Sequence, residues 1–86
     1  MTFSILGHCP ETGQIGLALT SVTMGVGGIS PCYGYGGDIV VVQAKGNPRA
    51  AIAGVRALDE GCSLQDTLAR VAAADGHVAY RQIAIM

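Results

Sequence analysis

The run Asp38-Ile39-Val40-Val41-Val42-Gln43-Ala44 constrains the fold more than any other segment. Its four consecutive β-branched residues, Ile39 to Val42, leave no polar face, so it reads as a strand covered on both sides. Covering both sides is demanding for a chain of 86 residues, which forms one domain at most. A domain of that size buries only about 60% of the surface its unfolded chain exposes. Yet half of the residues are hydrophobic and 13% are charged, the apolar load of a larger domain. The chain is therefore expected to be part of something bigger.

Upstream of that strand the pattern is also extended. Phe3 and Ile5 alternate with Ser4 and Leu6, and the run stops at Gly7-His8-Cys9-Pro10-Glu11-Thr12-Gly13. This polar segment closes a hairpin, with Gly13 free to take positive φ. Gln14 to Ser21 then forms a second strand, with Ile15, Leu17 and Leu19 on one face and the small Gly16, Ala18 and Thr20 on the other. Two strands joined by a short turn pair antiparallel. Val22 to Gly37 holds too much glycine for a stable helix and reads as a loop plus a short, kinked extended stretch.

The second half turns helical after the breaker cluster Lys45-Gly46-Asn47-Pro48. From Pro48 to Glu60, Ala51, Ile52, Val55 and Leu58 fall at helical spacing, with proline in the first turn and Gly61 past the end. Ser63-Leu64-Gln65-Asp66 has the form of a helix cap, and the helix it opens stops near Asp75-Gly76. His77 to Met86 returns to a strand that breaks off apolar at Met86. Such an edge invites pairing, so the expectation is a β-β-β-α-α-β half-fold over residues 1–86, incomplete at its C-terminal end.

Several function classes are excluded by charge and spacing. Five Lys and Arg against six Asp and Glu give a net charge of −1, too little for binding nucleic acid or anionic membrane through charge. Cys9, Cys32 and Cys62 are an odd set, read as free thiols in a reducing cytosol. With neither a secretory pattern nor an apolar run of about 18 residues, the expected location is the cytoplasm. His8, Cys9, Cys32, Cys62 and His77 lack metal-ligand spacing, and Gly25-Val26-Gly27-Gly28 lacks the helix and acidic residue of a dinucleotide loop. No metal and no cofactor are expected.

Thr2-Phe3-Ser4-Ile5, the Pro10-Glu11-Thr12-Gly13 turn, Gly16 to Ser21 and Val26-Gly27 resemble the opening of a bacterial family, the domain-of-unknown-function 1028 family. Gln43-Ala44, Asn47-Pro48, the Leu58-x-x-Gly61 helix end and Tyr80-Arg81-Gln82 are similar to its later motifs, in the same order. Cys32 and Lys45-Gly46 depart from the family pattern. The resemblance implies an α+β fold of the αββα sandwich type, related to the N-terminal-nucleophile hydrolases, of which this chain is the N-terminal portion.

In that superfamily a Thr, Ser or Cys at the mature N-terminus attacks an amide carbonyl, with its own α-amine as the base. An α-amine has a pKa near 7.7–8.0 and accepts a hydroxyl proton near neutral pH. The resemblance makes Thr2 the nucleophile once Met1 is removed; the plainer alternative is a β-branched residue opening a strand. Ser21 supports the nucleophile, or is a strand-end hydroxyl bonded to local backbone. Lys45, Gly46 and Asn47 resemble the loop that supplies oxyanion-binding amides, and Lys45 lowers a neighbouring pKa; the alternative is an ordinary strand-to-helix connection. Arg81 forks a substrate carboxylate or pairs with an Asp or Glu.

Two functions follow from the resemblance. One is an amidohydrolase acting on a small amide or ureido substrate, a homo-oligomer completed by a C-terminal polypeptide or second chain. The other is a non-catalytic αβ binding or assembly subunit on the same scaffold.

Overall fold

The computed structural model describes residues 1–86. It is an α+β domain with two helices and two antiparallel sheets. Strands β1 (Thr2–His8) and β2 (Ile15–Ser21) form a hairpin in the register Thr2↔Ser21 to His8↔Ile15. Its turn closes as the glycine spacing predicts. Gly13 sits at φ 75° and donates to the Cys9 carbonyl at 2.8 Å, while the Cys9 amide donates to Gln14. Alternate residues of both strands are half-buried, and those between them are exposed.

The second sheet has the order β3-β4-β5, with β3 (Pro31–Tyr33) and β5 (Gln82–Ile85) flanking β4 (Ile39–Gln43). All five residues of β4 are buried, as the unbroken β-branched run requires. Val40 and Val42 pack with Ala50, Ala51, Val55 and Val71 from α1 (Pro48–Asp59) and α2 (Leu64–Ala73). Ile39 and Val41 point to the opposite face and are equally buried. The helices thus cover only one side of the sheet. The short extended stretch expected before Gly37 is β3.

Each helix begins where its cap chemistry says it should. Asn47 Oδ1 accepts the Ala50 amide at 3.3 Å ahead of Pro48, and Ser63 Oγ accepts the Asp66 amide at 3.1 Å. The chain leaves α1 through Gly61 at φ 85°. Gly54 is where α1 meets its neighbours most closely. A Cβ there would lie 2.8 Å from Val71 Cγ2 and 3.1 Å from Val40 Cγ1.

The continuous strand expected from His77 to Met86 is interrupted by a 3-10 turn at Val78–Tyr80, and the strand β5 begins only at Gln82, with Met86 still bonded to Ile39 beyond its end. Asp75 accounts for the difference. Its Oδ1 accepts the His77 amide at 2.9 Å and its carbonyl accepts the Val78 amide at 3.1 Å, which turns the chain before it reaches the sheet.

Candidate functional site

The start of β1, the end of β2, the loop after β4 and the segment entering β5 converge on a cleft of about 600 Å³. Thr2 and Ser21 lie on its wall because they form the last pair of the hairpin register. Their hydroxyl oxygens are 3.1 Å apart. Ser21 Oγ is also 3.3 Å from the Met1 carbonyl, to which it donates, and accepts the Thr23 amide at 3.2 Å. While Ser21 donates to Met1, the Thr2 hydroxyl is the donor to Ser21. The Thr2 nitrogen is a peptide nitrogen here, so it is no base while Met1 remains.

Lys45 faces the same cleft from a strained loop. Ala44 and Lys45 sit at φ 63° and 65°, two successive non-glycine residues in the left-handed region. Each such residue costs about 1–2 kcal/mol, so neighbouring structure must hold them there. Arg81 does this. Its Nη1 donates to the carbonyls of both Ala44 and Lys45, and its Nε donates to Asp75 Oδ2 at 2.8 Å.

Asp75 is 4% exposed and anchors the arrangement. The Arg81 guanidinium, then the His77 amide, pull its carboxyl down from 3.8 to about 2, with the Asn47 side chain adding to the effect. Of the two roles open to Arg81 in the sequence, the structure shows the acidic pairing. Its guanidinium is committed to Asp75 and the loop, and its side chain is 13% exposed.

The structure therefore brings Thr2, Ser21, Lys45 and Arg81 to one cleft. Gly46 and Asn47 do not line it. A Cβ on Gly46 would lie 2.8 Å from Ile29 Cγ2, so the glycine serves a close approach to that side chain. The Asn47 side chain is spent on the α1 cap. Asp75, which the sequence marks only as a helix stop, is a functional residue that sequence reasoning misses. The available signal was an acid six residues before Arg81, at a helix end. Gln82 lines the cleft beside Arg81. It accepts from Gln43 Nε2 at 3.0 Å across the β4–β5 ladder.

No group of three or more His, Cys, Asp or Glu side chains comes together, and no helix is long and apolar enough to cross a membrane. No curated protein and no solved structure matches the chain at a significant level. A model of a family of unknown function, DUF1028, matches residues 2–86, and the chain belongs to that family.

Proposed function

We propose that the chain supplies the nucleophile of an N-terminal-nucleophile amidohydrolase, built on an αββα scaffold, that cleaves a C–N bond in a small amide or ureido substrate. One observation carries this reading: the Thr2 hydroxyl, adjacent to the only backbone nitrogen that Met1 removal would free, is hydrogen-bonded to Ser21 in the wall of the largest cleft. Two antiparallel sheets, one of them covered by helices, are compatible with the scaffold.

With Met1 removed, the Thr2 amine takes the Oγ proton as Oγ bonds to the substrate carbonyl carbon. The C–N bond then breaks, and the proton passes from the α-amine to the departing nitrogen. Water hydrolyses the Thr2 ester, adding a proton to Oγ and a hydroxyl to the acyl group. Ser21 holds the Thr2 hydroxyl in position, and the Lys45 ammonium stabilises negative charge on the tetrahedral intermediate. Arg81 is a positioning residue, acting through the Ala44-Lys45 loop.

A binding or assembly role on the same scaffold is favoured by a different observation. In the chain with Met1 present, Ser21 donates to the Met1 carbonyl and the Thr2 nitrogen is an amide, so the cleft has hydroxyls but no base. The two readings separate in an assay of Met1-free chain, verified by intact mass, on a panel of small amides and ureido acids. Hydrolysis that survives Thr2→Ser, is abolished by Thr2→Ala and is absent from the Met1-bearing chain supports the enzyme. Binding without turnover in every form supports the alternative.

A further inference from the structure

Gln43 is the one polar residue of β4 and is 9% exposed. It shares a sheet face with Ile39 and Val41, away from the helices. A buried amide needs partners, and Gln43 has only part of what it needs. Its Nε2 donates to Gln82 Oε1 at 3.0 Å, while its own Oε1 is buried with no hydrogen-bond partner. Leaving such an oxygen bare is destabilising, and an apolar residue ending this strand would avoid the cost. What Gln43 does provide is a fixed orientation for Gln82.

Gln82 is its cross-strand partner in the β4–β5 register and lines the Thr2 cleft. With Oε1 turned to Gln43, the free end of the Gln82 amide is Nε2, which carries two N–H donors. The charge around it is of matching sign. Lys45 and Arg81 line the same cleft, and no Asp or Glu does. Arg81 is spent on Asp75 and the loop, whereas Lys45 has no ion pair within the chain. Free N–H donors in a positive field suit an anionic oxygen acceptor.

We propose that Gln82, held by Gln43, donates from Nε2 to a carboxylate of the substrate. The cleft then takes an amide or ureido compound that bears a carboxylate in preference to a neutral one. This inference rests on the reading of the Thr2 cleft as a substrate site. On that reading substrate must reach Thr2, so Gln82 in the same wall stays accessible whatever completes the fold. Gln82 is a binding residue and Gln43 a positioning residue.

A chemical-shift titration of isotope-labelled protein that retains Met1 tests this. Without the free Thr2 amine the probe is not consumed. The two probes are N-acetylglycine and its neutral counterpart N-acetylglycinamide. The side-chain amide signals of Gln82 are expected to move saturably with N-acetylglycine, which binds about tenfold tighter than N-acetylglycinamide. That comparison needs no variant. Gln82→Glu leaves Gln43 Nε2 an acceptor but replaces the donor by a negative charge, and abolishes the preference. Gln43→Met removes the group that orients Gln82 and lowers the preference about fivefold, read at the Lys45 backbone amide. General damage to the fold weakens both probes alike, so the ratio of their affinities isolates the carboxylate contact. Equal affinity for the two probes, unmoved Gln82 signals, or a preference that survives Gln82→Glu overturns the proposal. N-acetylglycine binding through Gln82, with no hydrolysis by the Met1-free form, upholds the carboxylate site and removes the nucleophile assignment.

Discussion

Arg81 and Asp75 form the ion pair that holds the cleft's strained wall: Nε reaches Asp75 Oδ2 at 2.8 Å while Nη1 binds the carbonyls of Ala44 and Lys45. One carboxylate thereby fixes three things. It ties the end of α2 to the entry of β5, turns the chain at Val78–Tyr80, and holds Lys45 at the cleft. Loss of its charge should be felt in all three places.

The acid limb of stability follows from the same carboxylate. Its pKa lies near 2 in the folded chain against an ordinary 3.8, so ionised Asp75 favours the folded state at every pH above about 4. That contribution declines as pH falls from about 4 to about 2 and is absent below. Urea midpoints measured at pH 7, 5, 3 and 2 should show the decline in the parent chain. Asp75→Asn should be less stable at pH 7 and show a shallower fall below pH 4.

Gly54→Ala should destabilise the domain although alanine is the better helix former. The helix gains about 1 kcal/mol of propensity. Against this, the new methyl lies 2.8 Å from Val71 Cγ2 and 3.1 Å from Val40 Cγ1, both in the core. Overpacking there costs about 1–3 kcal/mol, so a net loss of about 1 kcal/mol is expected in denaturant unfolding. Gly46→Ala should also destabilise, because its methyl would lie 2.8 Å from Ile29 Cγ2 and 3.3 Å from the Val42 carbonyl oxygen.

The Ala44-Lys45 loop predicts opposite signs for stability and function. Lys45→Gly relieves a left-handed residue and should raise unfolding free energy by about 0.5–1 kcal/mol. It also removes the ammonium from the cleft, so amide turnover by the Met1-free chain should fall. Lys45→Asn separates the two effects, since asparagine tolerates the left-handed region but carries no charge. It should be at least as stable as the parent and equally impaired in turnover.

The fold was legible wherever burial is written into residue type. Ile39 to Val42 announced a strand covered on both faces, and the alternation of β1 and β2 announced the hairpin that places Thr2 beside Ser21. Pro48 and Ser63 marked both helix starts. Less legible were features that depend on which distant groups meet. Val78 and Tyr80 alternate like strand residues, and it is Asp75, through its carboxylate on the His77 amide and its carbonyl on the Val78 amide, that bends them into a turn. Nothing in Ala44 or Lys45 favours a left-handed backbone; the guanidinium of Arg81, 36 residues beyond Lys45, holds them there. Gly46 resembled an amide-presenting loop, but its missing side chain makes room for Ile29.

The nucleophile assignment is open to direct covalent test. Met1-free chain, incubated with a β-lactone that acylates nucleophilic hydroxyls, is digested and mapped by mass spectrometry. One acyl group is predicted on Thr2, reduced by Ser21→Ala and absent from both Thr2→Ala and the chain that retains Met1. Acylation of the Met1-bearing chain to the same extent, or labelling confined to Cys9, Cys32 or Cys62 with Thr2 unmodified, would contradict a catalytic Thr2.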